Sequence, residues 1–469
     1  MSHLMFADDI VLFGEASKDQ AQVIVDCLRE FCDLSREKVN VLKSSVYFSS
    51  NTNAAVVAEV CNTLGIPQTD DLGRYLGVPA INGKVTKATF QSVLTRVDKR
   101  LAGWKTKYLS LAGRLTLIHS TVAAIPAYTM QSARLPRSLW DESDRKIRRF
   151  LWGGTGMQRK PHLVSWDMVT KEKAQGGLGV RSMRQLNSAF LMKLGWRLQT
   201  ESTALWSQLL HEKYSRGREL LSVTDRRLAC SNAWKGIKDT LQLTDQGMGF
   251  AIGDGRSTKF WVHRWMDGTK LAEQATVHIP ADHLHRTLCD YWDLSSGWKW
   301  DQLDSLLPTL TVKRIASFAL ASAGVSDEQV WLLDKSGHFT IKSAIKLSRQ
   351  DELNGGTSWA WMWRVCIPQR IKLFLWLILY GKVLTNEQRF HRNMSQSPHC
   401  GVCSGKVENL EHVLRSCPQA TQVWHTIQAH GLNYIGAEGN CTQWLLLNVR
   451  GSHEDPDWPT KFIITVWYI

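Results

Sequence analysis

The sequence predicts an α+β fold that is mainly helical, on three observations. Its first residues read as strand, turn, strand. Apolar residues then recur at helical spacing through most of the chain. One late segment carries cysteine and histidine at the spacing of a closed tetrahedral metal site.

The elements follow in order. Leu4-Met5-Phe6 and Ile10-Val11-Leu12-Phe13 are apolar or β-branched and flank Ala7-Asp8-Asp9, the pattern of a hairpin. Ser17 with Gln20 three residues on is a capping box, and Val23, Ile24, Cys27, Leu28, Phe31 and Cys32 fall on one helical face. "LSREKVNVLKSSVYFS" is expected to turn into a strand exposing Lys38, Asn40 and Lys43, completing a hairpin, helix, strand unit over residues 1–50. Beyond residue 51 helices dominate. Phe90, Val93, Leu94, Val97 and Leu101 form a stripe that Gly103 ends, and a second helix opens near Ser110 and stops before Pro126.

Residues 96–150 are rich in Lys and Arg and finish in "DRKIRRFLWGG". "GGTG" (153–156) and "QGGLGV" (175–180) mark turns, which places a boundary near 151–180. "GFAIGDGRSTKFWVHRWMDG" is expected to be a β-hairpin, and "WLLDKSGHFTIKSAIKLSR" a hairpin followed by a helix. No catalytic constellation emerges from residues 215–350.

Composition narrows the class. The 469 residues suffice for two to four domains, and 43% hydrophobic with 21% charged residues is globular material. A formal charge of +14 favours a polyanionic partner, nucleic acid before membrane. The 21 tryptophans, many beside basic residues, suit base stacking, but their apolar area makes them core residues first. The Asp pair interrupts the apolar N-terminal stretch, unlike a secretory signal. The run Leu373 to Tyr380 is far short of the ~20 residues a spanning helix needs. An intracellular chain with no membrane partner is expected, and its ten cysteines are expected as thiols or metal ligands.

Two motifs carry chemistry. Adjacent carboxylates on a tight turn, Asp8 and Asp9, are how a metal-dependent nucleotidyl transferase presents oxygen ligands to Mg²⁺. Acidic turn residues are also common without any metal. "HCGVCSGKVENLEHVLRSC" reads C-x2-C-x8-H-x4-C, four ligands suited to structural Zn²⁺: Cys400, Cys403, His412 and Cys417. His399 is a possible substitute, and "NLEHVLRSC" is expected to be helical. Arg364, Arg370, Lys372 and Arg389 either face nucleic acid or form a solvated surface.

Several blocks occur in a telling order: "HLMFADDIVLF", the amphipathic helix, "LSREKVNVLKSSVYFS", "GRYLGVP", "LAGWKTKYLSLAGRLTLIHSTVAAIPAYTMQ", "GGLGVRSMRQLNSAFLMKLGWRL" and the Cys/His segment. Together they resemble the C-terminal part of plant LINE-type (non-LTR) retrotransposon reverse transcriptases. The resemblance implies a remnant of the polymerase palm over 1–50, a thumb-like helical region over 51–150, and a connection of uncertain fold over 151–327. A zinc-binding domain over 328–430 and a truncated tail over 431–469 would follow. It implies Asp8 as principal metal carboxylate with Asp9 beside it, and Lys43 near the incoming nucleotide. Cys400, Cys403, His412 and Cys417 become structural zinc ligands. Ser35-Arg36 stands where the family has Ser-Gly, at a turn that Arg does not readily take.

The family's upstream Asp and fingers would have to precede residue 8, so the expected product is a polymerase fragment inactive alone. Mg²⁺ would bind only if the site were completed. Binding of RNA or DNA is expected through Arg96, Lys99, Arg100, Lys105, Lys107 and Arg114, and the element's life cycle implies a nuclear location. The alternatives are the C-terminal part of an active enzyme with a longer frame, a zinc-dependent interaction module, and a decayed element.

Overall fold

The computed structural model describes residues 2–81, 83–103, 108–154, 160–215, 230–293, 295–320, 324–349, 358–403, 405–429, 439–451 and 453–469. Helices dominate, with small two-stranded sheets, so the fold is mainly helical α+β as the sequence predicts. The chain divides into two units, Met1–Ser92 and Val93–Ile469.

In the first unit, β1 (His3–Phe6) and β2 (Asp9–Leu12) pair antiparallel around the Ala7-Asp8 turn. Among the described residues neither strand has another partner, and their apolar side chains stay open, Met5 58% and Phe6 62% exposed. Helix α1 (Lys18–Ser35) starts where the sequence signals it, with Ser17 Oγ accepting the Gln20 N–H at 3.2 Å. It packs on α2 (Ala54–Leu64). "GRYLGVP" forms a hairpin of β3 (Arg74–Tyr75) and β4 (Val78–Pro79), with Leu76 and Gly77 both at positive φ as a type I′ turn requires.

The expected strand after α1 does not form. Residues 40–43 make a turn instead, and Val46 contributes one parallel bridge to Gln68. β1 and β2 pair only with each other, so no sheet is there for it to extend. Arg36 does take the unfavourable conformation: it ends α1 at φ 63°, its N–H reaching Cys32 O at 2.9 Å. A left-handed non-glycine residue costs about 1–2 kcal/mol, so Arg36→Gly is expected to stabilise this unit by about 1 kcal/mol in urea denaturation. An unchanged or lower midpoint would show that the Arg36 side chain offsets the strain.

Helix α3 (Gln91–Leu101), which belongs to the second unit from Val93 on, buries the predicted Val93, Leu94 and Val97. Helix α4 (Leu111–Ser120) begins at Ser110, whose Oγ accepts the Gly113 N–H. It ends at Ser120, ahead of the expected Pro126, and is followed by a short 3-10 turn and α5 (Ala127–Met130). Then come α6 (Arg137–Leu151), α7 (Trp166–Thr170), α8 (Met183–Thr200), α9 (Leu205–Leu210) and α10 (Asn232–Gly247). Helix α8 is the hub, packed against α5, α6, α10 and, further on, the helix at 341–347. Its fully buried Asn187 is satisfied, Oδ1 accepting the Leu135 N–H and Nδ2 donating to Ala133 O, both at 3.0 Å.

The hairpin expected within 249–268 is replaced by a non-local pairing. β5 (Met248–Ala251) runs antiparallel to β8 (Glu328–Trp331), while β6 (Trp292–Asp293) and β7 (Gly297–Trp298) form a separate small hairpin. The intervening chain, which includes α11 (Thr309–Ile315), closes on a core of Phe260, Trp261, Trp265, Leu271, Tyr291 and Trp298. Many of the tryptophans are therefore core residues.

The Gly-Asp-Gly segment serves another end than a hairpin turn. It wraps the Asp327 carboxylate, which accepts the N–H groups of Gly253 (2.8 Å), Gly255 (2.9 Å), Thr258 (3.0 Å) and Ser257 (3.1 Å). A Cβ at Gly253 would strike the backbone of Val325 and Ser326, which explains the glycine. Burial pushes the Asp327 carboxyl up, but the N–H donors of Gly253 and Gly255 outweigh it and its pKa lies below the ordinary value. The stabilisation is thus complete above the unfolded-state pKa and lost as pH falls through the lower folded-state value. Asp327→Asn is expected to cost about 1–2 kcal/mol at neutral pH, the gap narrowing below about pH 4. A gap independent of pH in chemical denaturation would refute the role of the charge.

Helix α12 (Ile341–Leu347) follows β8 directly, without a second strand; Trp331 N instead meets Gly337 O across a turn. Next come α13 (Ala360–Arg364) and α14 (Gln369–Leu379). These grip the "QGGLGV" turn: Trp376 Nε1 and Tyr380 OH both donate to Gly176 O, at 2.7 and 3.0 Å, and Trp359 N donates to Ala174 O. The turn is therefore a seat for the C-terminal helices. After α15 (Asn386–His391) and α16 (Pro418–Ala429) come α17 (Cys441–Arg450) and α18 (Trp458–Tyr468), whose Trp444 and Phe462 each meet Trp424 at 5.4 Å and one another at 5.0 Å.

No helix among the described residues is long and apolar enough to cross a membrane. The ten cysteines are free thiols.

Candidate metal centre

The two candidate sites fare differently. Asp8 lies in the β1–β2 turn and Asp9 opens β2 opposite Phe6, both exposed. Among the described residues no third carboxylate, cysteine or histidine joins them at metal-binding distance. Lys43 is exposed in its own turn, its N–H on Asn40 Oδ1 at 3.2 Å. A two-metal clamp needs carboxylates bracketing two ions about 4 Å apart. Two exposed side chains on one turn do not fit that arrangement.

The cysteine and histidine residues converge. Cys400 Sγ, Cys403 Sγ and a ring nitrogen of His412 all lie within 4.8 Å of one another. The loop carrying the two cysteines is closed by Cys400 N donating to Lys406 O at 2.9 Å and by the antiparallel bridge of His399 with Val407. Just beyond, the Glu408 carboxylate accepts the Asn386 N–H (2.9 Å) and Nδ2 (2.8 Å). That anchors the loop to the positive end of α15.

His412 arrives from the other side. Asn409 Oδ1 accepts its N–H at 2.8 Å, and residues His412–Ser416 of the expected helix take the wide π form. This sets Nε2 3.3 Å from Cys403 Sγ while Nδ1 faces Ser416 Oγ at 3.4 Å. A partner on the second ring nitrogen helps to orient the ring.

The electrostatics agree. The N–H of Cys403, then that of Val402 and the His412 ring, hold the Cys400 thiol down to about 6. It is a thiolate at neutral pH, the form that binds metal. Zinc bonds of 2.3 Å to sulfur and 2.0–2.1 Å to nitrogen put tetrahedral donors about 3.6 Å apart, so these three residues fit one ion. Cys417 ends the π turn with its N–H on His412 O at 2.8 Å; it is buried, but its sulfur lies outside the 4.8 Å group. His399 is exposed, with Nδ1 on Ser397 Oγ.

Sequence reasoning missed Arg415, between His412 and Cys417. Its side chain is 8% exposed, paired with Glu411 at 2.8 Å, donating to Gly439 O at 3.1 Å and lying over the Trp444 ring. The ligand-bearing turn is thereby tied to α17. The Glu411 to Arg415 spacing was a visible signal, but only tertiary contacts reveal the burial. Neighbouring Cys441 is no competing ligand: burial, then the Glu411 charge, pushes its thiol up to about 12.

The basic residues separate. Arg96, Lys99 and Arg100 are exposed on α3, where Asp98 between them pairs with Lys146. Lys105 and Lys107 lie outside the described residues. Arg114 is half-buried, its guanidinium against Gly153. Arg364, Arg370 and Arg389 are exposed, but Lys372 donates to Trp363 O at 2.8 Å.

Comparison with known proteins agrees with the metal site. Residues 339–424 match the family described as zinc-binding in reverse transcriptase. A protein of Arabidopsis thaliana named "Putative ribonuclease H protein" is 33% identical over 403 residues, 83% of this chain and 64% of its own length. The chain therefore spans less than two thirds of that relative. An uncharacterized mitochondrial protein of the same plant is 34% identical over 152 residues, 32% of this chain and 97% of its own length.

Proposed function

This chain belongs to a reverse-transcriptase-related family, the one it shares with its Arabidopsis relatives, and from that premise we propose a retrotransposon origin of the LINE (non-LTR) type. In this reading the chain binds RNA or DNA, while zinc holds its C-terminal module together. The observation that carries the reading is the convergence of Cys400, Cys403 and His412 inside the zinc-binding segment. Cys417, at the end of the π turn, is the candidate for the fourth ligand. Four protein ligands leave no open position, so the ion shapes the fold and performs no chemistry on substrate.

Nucleic acid is held by cations, among them Arg96, Lys99 and Arg100 on the open face of α3. Polymerisation is not an activity of the hairpin as described, because the Asp8–Asp9 pair offers ligands for one Mg²⁺ at most. Purified full chain is expected to carry one zinc ion and to bind mixed-sequence nucleic acid with an affinity that falls steeply with salt. Primer extension with an Asp8→Ala control is expected to yield no Asp8-dependent product. Binding that ignores salt would refute the electrostatic reading, and Asp8-dependent extension would restore the polymerase.

A further inference from the structure

Helix α6 ends in cations that no carboxylate among the described residues compensates. Its acidic residues are engaged elsewhere: Asp141 with Arg137, Glu142 with Lys146, and Asp144 with Ser182 Oγ and the Met183 N–H. Arg148 and Arg149, in the last turn, have no carboxylate partner among the described residues, and Arg148 Nε is buried without any hydrogen bond.

Three further groups join them from elsewhere in the same unit. Arg114, on α4, lays its guanidinium on the Gly153 turn that closes α6; a Cβ at Gly153 would sit 2.9 Å from Arg114 Cζ and closer still to Nη1. Glycine there, at φ 76°, makes the space the guanidinium occupies. His162 lies near enough to Arg148 and Arg149 that their charges, after burial, push its pKa down. Arg392, at the end of α15, donates to His162 O at 3.4 Å.

The bland reading is that cations complement the negative end of a helix dipole. That end carries only about half an elementary charge. Four guanidinium groups exceed it several-fold, and desolvating one without a partner is unfavourable. Such a cluster is kept for an anion from outside, and planar forked guanidinium groups match phosphate oxygens in pairs.

We propose that Arg148 and Arg149 at the end of α6, Arg114 on the Gly153 turn and Arg392 on His162 O form a binding site for backbone phosphates of a nucleic acid. The proposal rests on the nucleic-acid reading above and deepens it, adding a site at the end of α6 to the exposed face of α3. The chemistry recognised is phosphate, so the test separates phosphodiester from free phosphate.

The experiment measures affinity of the full chain for a mixed-sequence duplex as a function of salt. In the paired variant Arg148→Gln, Arg149→Gln the slope of log affinity against log salt is expected to flatten by about 2, each lost phosphate contact contributing ~0.9. Arg149→Lys keeps the charge and is expected to keep the slope. Gly153→Ala retains every cation but displaces the Arg114 head, and should flatten the slope by about 1. Because like charges are relieved, the paired variant without nucleic acid is expected to melt no lower than the parent.

An unchanged slope in the paired variant, with a flatter one in an Arg96, Lys99, Arg100→Gln triple, overturns this site and leaves the general reading standing. No salt-dependent binding by the parent chain overturns both. Inorganic phosphate raising the melting temperature only when Arg148 and Arg149 are present, with the duplex slope unchanged, overturns the nucleic acid in favour of a free phosphate ligand.

Discussion

Removing zinc, by a strong chelator or by Cys403→Ala, is expected to loosen the C-terminal helices of the full chain and lower their stability by roughly 5 kcal/mol. Zinc fingers without a core of their own draw about 10–16 kcal/mol from the metal. Here α14, α16, α17 and α18 bury Trp376, Trp424, Trp444 and Phe462 independently of it, so part of the fold survives. A zinc ion held by Cys400, Cys403 and His412 would join the loop that carries the two cysteines to the His412–Ser416 turn. Without it, Cys400 stands beside a second thiol with no ion between them. Near-UV circular dichroism of the tryptophans should collapse on chelation and return on adding zinc. A spectrum and melting curve indifferent to metal would show that the thiols and imidazole are merely packed neighbours.

Trp444→Ala is expected to cost about 3–5 kcal/mol, as large aromatic truncations in closed cores do. The ring is fully buried, meets Trp424 edge-on at 5.4 Å and Phe462 at 5.0 Å, and supports the Arg415 guanidinium. Its Nε1 has no hydrogen-bond partner among the described residues, so the loss is one of packing and of the cation–π contact. The consequence beyond stability is at the metal. Arg415 stands between His412 and Cys417, so freeing it should let the ligand turn drift and weaken zinc retention against a competing chelator. Retention equal to the parent in a destabilised Trp444→Ala chain would uncouple the two and confine Arg415 to packing.

These effects follow from how unevenly the molecule can be read in its sequence. Ser17 and Ser110 accept hydrogen bonds from the residues three positions on, and the Val93, Leu94, Val97 stripe is buried, because caps and periodicity are local properties of the chain. The spacing of Cys400, Cys403 and His412 was likewise legible, since a tight loop and one turn of helix suffice to bring them together. The strand expected after α1 failed because strand propensity needs a neighbour with open hydrogen bonds. The hairpin expected around Gly253 failed because β5 found its partner in β8, and its glycines serve to enclose Asp327.

By itself, then, the sequence determined the helical class, the helix starts at Ser17 and Ser110, and the grouping of Cys400, Cys403 and His412, all local features of the chain. Only the tertiary structure decided which tryptophans are core, that the Gly176 turn seats α14, and that Arg415 bolts the ligand turn to α17. It also decided that Arg114 lies on the Gly153 turn that closes α6 and that Arg392 reaches His162. The reason is physical. Burial and uncompensated charge are properties of what surrounds a side chain, and those surroundings come from segments far away in the chain.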